Sequence, residues 1–257
     1  LYKSSDSCLA LGKIYYNFKQ DIKTALYYFH LSAEQNNDQA MFIIGQIYTE
    51  LDDFEKALYY FKLAADHNNA NAQHFLGIVY SHKDSGMENM QKAFYYYEKA
   101  AKNNFPESQY EIGKLYLENQ IYEKAIYYLN EASKNYYYEA SYILGCLYDE
   151  GKVVKRNIVK AIHYYKEATS FNHLLAKNNL AIIYINNFDD GTNKNIFYAI
   201  ELLKEVIKNK KDEKNLISMF NLAHLYIFKY PNKDKINEAI DLLFILSNKF
   251  FYPAILL

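Results

Sequence analysis

The stretch Leu144–Thr169, LGCLYDEGKVVKRNIVKAIHYYKEAT, contains two apolar-periodic segments joined by a short polar loop. In the second segment, Ala161, Tyr164, Tyr165 and Ala168 fall at positions i, i+3, i+4 and i+7, so they share one face of a helix. The small alanines let a second helix approach closely, and the tyrosines fill the space beside that contact. The stretch therefore predicts a hairpin of two antiparallel helices.

This two-helix unit recurs seven times along the chain. In each unit the first segment contains a Gly or Ala that is followed three residues later by Tyr, and the second segment contains an Ala. The first-segment positions are Gly12, Gly45, Gly77, Gly113, Gly145, Ala181 and Ala223, and the second-segment positions are Ala25, Ala57, Ala93, Ala125, Ala161, Ala199 and Ala239. Repeats of this length bury their apolar faces by stacking on one another. We therefore expect an all-α, right-handed solenoid of about seven hairpins, a single array over residues 1–257. The expected units are 7–33, 39–65, 71–101, 106–133, 139–169, 175–208 and 216–247.

Two spacings describe the connections between these helices. From the first-segment Gly to the second-segment Ala the interval is 12 residues in Gly45 to Ala57 and 16 in Gly77 to Ala93, so the loop inside the hairpin varies. From the later small residue of the second segment to the next Gly or Ala the interval is 13 residues at five junctions, so the turn between hairpins is fixed. Asparagine tolerates the left-handed conformation that ends many helices. We expect it to end the helix at four of these turns, with Tyr136 as the exception; the asparagines are Asn36, Asn68, Asn104 and Asn172.

Tyrosine pairs occur in the second segments. Adjacent residues of a helix diverge by about 100°, so both members of a pair cannot point inward. We expect Tyr28, Tyr60, Tyr96, Tyr128 and Tyr164 to pack inside, and we expect Tyr27, Tyr59, Tyr95 and Tyr127 to lie on the outer side.

Composition and motifs exclude several classes of function. The formal net charge is −1, from 29 Lys+Arg and 30 Asp+Glu, which gives no electrostatic reason to expect a nucleic-acid partner. No apolar run approaches 18 residues, so we expect no direct membrane insertion. The seven histidines lack metal-ligand spacing, and no phosphate-binding loop or nucleophile motif occurs. We therefore expect no catalytic residue, no cofactor and no metal. The chain begins at Leu1 inside an apolar segment, and we expect it to be a fragment of a longer protein.

The repeated residues resemble those of Sel1-like repeats, a subfamily of the tetratricopeptide superfamily. In the fifth unit the matching residues are Ala140, Leu144, Gly145, Tyr148, Gly151, Val154, Lys160, Ala161, Tyr164, Tyr165 and Ala168. The unit departs from the family pattern at Val153 and Asn157, where Gly and Asp are expected. The resemblance covers nearly the whole chain and weakens in the last two units, where Ala181 and Ala223 replace the glycine. It implies a non-catalytic scaffold or adaptor that binds a protein or peptide.

First helices line the concave groove of such solenoids. We expect the residues three before and one after the Gly or Ala to face that groove, and tyrosine there offers a large contact area with a polar tip. The candidate partner-binding residues are Phe42, Gln46, His74, Tyr110, Lys114, Tyr142, Asn178, Phe220 and His224. The alternative for any one ring is packing against the neighbouring repeat.

Two other functions remain open at this stage. The resemblance is also compatible with an adaptor in endoplasmic reticulum-associated degradation, and with an accessory region of a larger enzyme such as a protein kinase. We expect a cytoplasmic location, with the endoplasmic reticulum lumen as the alternative. The chain has no N-x-[ST] glycosylation site, which argues weakly against the lumen.

Overall fold

The computed structural model describes residues 4–81, 89–187, 193–208 and 215–248. In these ranges the chain forms fourteen α-helices and no strand. The helices divide between two compact units, Leu1–Tyr137 (unit 1) and Tyr138–Leu257 (unit 2). The sequence pattern predicts hairpin loops at Gly86 and at Asp190-Gly191 and the start of an eighth first helix at Tyr252–Leu257. These residues lie outside the described ranges, as do residues 209–214 of the connector between the sixth and seventh hairpins.

Each hairpin consists of an odd-numbered first helix and an even-numbered second helix. In unit 1 the helices are α1 Ser5–Asn17, α2 Ile22–Ala33, α3 Asp38–Glu50, α4 Phe54–Asp66, α5 Ala70–Ser81, α6 Met90–Lys102, α7 Pro106–Glu118 and α8 Tyr122–Lys134. In unit 2 they are α9 Tyr138–Glu150, α10 Ile158–Ser170, α11 Leu174–Asn187, α12 Lys194–Lys208, α13 Asn215–Phe228 and α14 Lys233–Asn248. Within each unit every helix packs against the next helix in the chain. This confirms the all-α solenoid of helix hairpins. None of the described helices is long and apolar enough to span a bilayer.

The turn between hairpins has one backbone geometry. Asn36, Asn68, Asn104 and Asn172 all adopt positive φ angles of 58–70°, as predicted. Tyr136 adopts the same conformation, with φ of 62°, although it is not asparagine. At each turn the N–H one residue later donates to the carbonyl of the small residue five positions back, as from Asn69 to Ala64 (3.0 Å). This bond is the helix-ending motif of a left-handed residue, and it explains why the 13-residue step is constant.

Hairpin loops of different length close on the same bond. The N–H of the residue that caps the second helix donates to the carbonyl of the tyrosine that follows the first-helix glycine by three residues. The distance is 2.9 Å from Asp53 to Tyr48 in a short loop and 3.1 Å from Asn89 to Tyr80 in a long one. Asp53 also caps α4 through its side chain, which accepts from the Lys56 N–H.

In the first five hairpins the core contains a first-helix glycine that is covered by a side chain of the second helix. A Cβ added to Gly77 would lie 2.5 Å from Cδ1 of Tyr97, and one added to Gly145 would lie 2.5 Å from Cδ1 of Tyr165. Tyr97 and Tyr165 are buried. Glycine is therefore needed where the ring lies directly against the backbone of the first helix.

The inner tyrosines form a second layer of contacts. Tyr48 stacks on Tyr60 with ring centroids 5.7 Å apart, and Tyr80 stacks on Tyr96 at 5.7 Å and 3°. Equivalent stacks join Tyr15 to Tyr28, Tyr116 to Tyr128 and Tyr148 to Tyr164. Tyr27, Tyr59, Tyr95 and Tyr127 are 53–60% exposed. The predicted division into packing and outer tyrosines is confirmed.

Candidate partner-binding surface

The exposed side of the first helices in unit 1, here called the first-helix face, carries five of the predicted binding residues. Phe42 is half-buried and its ring lies 5.6 Å from that of Phe61, while Gln46 is exposed. His74 and Tyr110 are half-buried. Lys114 pairs with Glu111 (2.8 Å), and its ammonium group lies 4.7 Å from the centroid of the Tyr110 ring.

Three of the predicted rings pack on the next repeat. His74 lies 4.9 Å from the ring of Phe105, and Tyr110 lies 5.0 Å from Tyr137. In unit 2, Tyr142 stacks on His173 at 4.4 Å. Each partner stands immediately before the next first helix or close to its start. The alternative of packing against the neighbouring repeat therefore holds for these rings, which offer only their remaining exposed edges to a partner.

His74 is held by a polar contact as well as by its neighbouring rings. Its Nδ1 lies 2.8 Å from Oγ of Ser108 in the next first helix. Burial lowers the pKa of His74 below its ordinary value of 6.5, while Glu107 and Glu111 oppose that shift. The imidazole is therefore neutral at pH 7 and acts as a packing and hydrogen-bonding group.

Unit 2 contains a polar cluster around Tyr142. The hydroxyl of Tyr165 donates to Sγ of Cys146 (3.4 Å), and the amide of Asn179 donates to that hydroxyl (3.3 Å). Burial is the largest cause that raises the pKa values of Tyr142 and of the Cys146 thiol. The thiol is therefore protonated at neutral pH and lacks the thiolate character that reactive cysteines have.

Asn178 is a packing residue in this structure. It is only 7% exposed, and its side-chain oxygen accepts hydrogen bonds from Oγ of Ser218 (3.0 Å) and Nδ2 of Asn221 (3.0 Å) in α13. These bonds tie α11 to α13. Asn178 holds the same register position as His74 and Tyr110, so the sequence predicted that it faces the groove. That prediction is wrong, because the Asn178 amide hydrogen-bonds to the next first helix, which covers it.

Phe220 and His224 line an open pocket in unit 2. The pocket has a volume of about 220 Å³ and is completed by Ile182, Ile185, Asn186 and Asn221. It lies between the first helices α11 and α13. Both predicted residues therefore stand beside a cavity on the first-helix side of this unit.

An apolar cavity on the first-helix face of unit 1, here called the α4 pocket, has a volume of about 410 Å³. It lies between α3 and α5, and α4 forms its floor. Its lining residues are Thr49, Phe54, Ala57, Leu58, Phe61, Phe75 and Val79. Phe54 is 63% exposed at the rim, and Phe61 at the base contacts both Phe75 (4.3 Å) and the predicted residue Phe42.

A pocket of similar volume, about 380 Å³, occurs at the next junction of unit 1 and is called the α6 pocket. It is lined by Met90, Gln91, Phe94, Leu115, Asn119 and Ile121. Met90 and Phe94 hold the register positions of Phe54 and Leu58, and Leu115 holds that of Val79. The same repeat positions thus form an apolar pocket at two successive junctions.

Sequence reasoning missed the pocket residues because it looked only at the first helices. The available signal was the aliphatic or aromatic residue three before and one after the second-helix alanine, as in Phe54 and Leu58 beside Ala57. Periodicity alone predicts that these residues lie in the core. Only the structure shows that Phe54 stands at the rim of an open cavity.

A family model for the Sel1 repeat matches residues 5–37, 39–69, 70–105, 106–137, 139–170 and 174–205. The chain belongs to the Sel1 repeat family. The matched residues cover the first six hairpins, and the match ends before α13 and α14, where the sequence pattern weakens. No curated protein matches the chain.

Solved structures of similar fold include other Sel1 repeat proteins. The chain aligns with the crystal structure of c5321, a protective antigen of uropathogenic Escherichia coli strains displaying an SLR fold. The TM-score is 0.79 and the identity 19%, with 95% of this chain and 54% of the antigen covered. It aligns with a Sel1 repeat protein from Oxalobacter formigenes at a TM-score of 0.67 and 24% identity, covering 91% of this chain and 96% of the other. At these identities the likeness shows the fold alone, and this chain spans about half the length of the antigen.

Sel1 repeats of this type are generally scaffolds for protein–protein interaction. In the described ranges no three His, Cys, Asp or Glu side chains are grouped as a metal site would require. The chemistry that the first-helix face offers is apolar contact, ring stacking and hydrogen bonding. These are the contacts that peptide-binding surfaces use.

Proposed function

We propose that this Sel1 repeat array is a non-catalytic scaffold that binds a protein or peptide partner on the first-helix face. The observation that carries the proposal is the α4 pocket. The first-helix glycines of unit 1 are each already covered by a side chain of their own second helix. The pocket therefore leaves apolar surface open beside Phe42, one of the predicted binding residues.

The pocket has the composition of an anchor site. Phe54, Leu58, Phe61 and Phe75 supply apolar and aromatic surface, and Thr49 supplies a hydroxyl at one edge. Binding energy in protein interfaces is concentrated where an apolar or aromatic anchor fills such a pocket. Gln46, exposed on α3, lies on the same helix as Phe42 and is available to hydrogen-bond a peptide backbone.

Phe54→Ala tests the proposal with little expected effect on folding. Phe54 is the first residue of α4 and is largely exposed, so alanine removes an anchor contact and keeps helix propensity. Tyr59→Ala is the matched control, because Tyr59 lies on the same helix, is 60% exposed and is absent from the pocket lining.

The assay selects peptides from a phage-displayed random library on the immobilised 257-residue chain. We expect peptides that are enriched on the wild type and on Tyr59→Ala and lost on Phe54→Ala, with affinity reduced roughly tenfold or more. Peptides retained equally by all three proteins would place binding elsewhere on the chain. An absence of enriched peptides would contradict the proposed function.

A further inference from the structure

Charges are segregated between the two sets of helices in unit 1. The first helices α1, α3, α5 and α7 contain six carboxylates and two lysines, a net charge of −4. The carboxylates are Asp6, Asp38, Glu50, Glu107, Glu111 and Glu118, and the lysines are Lys13 and Lys114. The second helices α2, α4, α6 and α8 contain eight lysines and five carboxylates, a net charge of +3. A chain with a net charge of −1 therefore presents an acidic first-helix side.

Two of these carboxylates stand on first helices that line the apolar pockets, although neither is itself a lining residue. Glu50 follows Thr49 of the α4 pocket, and Glu118 precedes Asn119 of the α6 pocket. Both stand five residues after the glycine of their first helix and both are exposed. A carboxylate thus recurs at the same register position on α3 and α7, the two outer first helices of this pair of pockets.

The negative charge at Glu50 is not compensated by its hydrogen-bond partner. The carboxylate accepts from the neutral hydroxyl of Tyr16 at 2.6 Å. This bond to Glu50 is the largest cause that raises the pKa of Tyr16 to about 12. The tyrosine therefore stays protonated at neutral pH, and the pair keeps the full charge of the carboxylate.

We propose that the first-helix face of unit 1 binds a basic peptide. Its apolar side chains enter the α4 and α6 pockets, and its lysine or arginine side chains lie beside Glu50 and Glu118. This inference rests on the proposed function and names the chemistry of the partner. Complementary charge sets which partner is accepted and speeds its association, while the apolar pockets supply most of the affinity.

The charge distribution disfavours the opposite class of partner on this face. An acidic peptide would place its carboxylates beside Glu50 and Glu118, and like charges brought together in an interface oppose binding. A peptide without charge would fill the pockets but would gain nothing from the carboxylates of the first helices. The peptides selected on the α4 pocket therefore report the charge preference directly.

The experiment analyses the peptides that bind the wild-type chain and not Phe54→Ala. We expect them to carry net positive charge and at least two apolar residues. A set of neutral or acidic peptides would overturn this inference and leave the proposed function intact. A library without any peptide that depends on Phe54 would overturn both.

Affinity measurements then test the two carboxylates. A labelled synthetic copy of the most enriched basic peptide is titrated with the chain by fluorescence anisotropy. We expect Glu50→Gln with Glu118→Gln to weaken binding roughly tenfold at low salt, and the difference should shrink as ionic strength rises toward about 1 M. Asp66→Asn with Glu123→Gln removes the same charge from exposed positions of α4 and α8 and should leave the affinity unchanged. Equal weakening by both double variants would show a general effect of net charge and would overturn the assignment.

Discussion

Gly77→Ala tests whether ring packing sets the approach of the two helices in a hairpin. The added Cβ would lie 2.5 Å from Cδ1 and 2.6 Å from Cε1 of Tyr97. Tyr97 is 4% exposed, and its hydroxyl lies 3.3 Å from Oγ of Ser81. The ring therefore has little freedom to move away from the new methyl group.

Two opposing free energies decide the result. Replacing glycine by alanine inside a helix stabilises by about 1 kcal/mol. Forcing an extra carbon into a well-packed core costs about 1–3 kcal/mol. Because 2.5 Å is far inside the ordinary carbon–carbon contact of about 3.5–4.0 Å, the cost belongs at the upper end of that range. We expect a net destabilisation of about 1–2 kcal/mol.

Urea unfolding followed by far-ultraviolet circular dichroism measures the change, and hydrogen exchange shows which hairpins lose protection. Two variants serve as controls. Gly113→Ala meets Cγ of Leu129 at 2.8 Å, a smaller overlap than at Gly77, so its net effect should be closer to zero. Tyr97→Leu combined with Gly77→Ala should recover part of the lost stability, because leucine leaves room for the methyl group.

The last two hairpins of the chain already combine alanine in the first helix with leucine in the second. Ala181 and Ala223 replace the glycine in the last two hairpins. There the position four residues after the second-helix alanine is leucine, Leu203 or Leu243, where four of the other five hairpins have a ring. A rise in the unfolding midpoint for Gly77→Ala would refute the packing argument. Strict additivity of Gly77→Ala and Tyr97→Leu would refute it equally.

Three further predictions concern single residues of unit 1. Gln73→Met should lower stability by about 1 kcal/mol, because the buried amide of Gln73 donates to the Ala65 carbonyl (3.1 Å) and accepts from Asn103 (2.9 Å); an unchanged urea midpoint would contradict this. Tyr136→Asn should raise stability by about 1 kcal/mol, because φ of 62° is costly for tyrosine and tolerated by asparagine; a lowered melting temperature would speak against it. His74 should titrate below 6.5 by NMR, so its stabilising contribution is present above pH 6.5 and is lost as the pH falls through its lowered pKa; a measured value at or above 6.5 would show that burial does not dominate.

The repeated features of the fold could be predicted because they recur in register. The 13-residue step pointed to a fixed turn, and the structure places a left-handed residue and the same backbone bond at all five junctions. The division of tyrosine pairs followed from helix geometry alone. Tyr136 shows that the turn imposes its conformation even where the residue type is unfavourable, since its neighbours at both ends are already fixed by helices.

The candidate surface could be predicted only in part, because side chains at equivalent positions make different contacts. The rings of His74, Tyr110 and Tyr142 pack against the next repeat. Asn178 is instead buried beneath α13 and hydrogen-bonds to it. Whether such a side chain packs on a ring or is buried by hydrogen bonding depends on its length and on the residues that the next repeat places opposite it. The α4 pocket escaped prediction for the same reason. Sequence periodicity predicts that apolar residues of a second helix lie in the core. The structure shows that the α4 pocket between α3 and α5 is open.

The two kinds of connection have different consequences for the first-helix face. A hairpin loop closes on the bond from the capping residue to the tyrosine carbonyl, whether the two are five residues apart, as Tyr48 and Asp53, or nine, as Tyr80 and Asn89. The same bond therefore forms in both hairpins, and a longer loop adds only a small cost in loop entropy. The turn at Asn68 has no such freedom, because its bond from Asn69 to Ala64 also sets where α5 begins. Since Phe75 and Val79 of α5 form one wall of the α4 pocket, the constant turn holds the pocket while the loops vary.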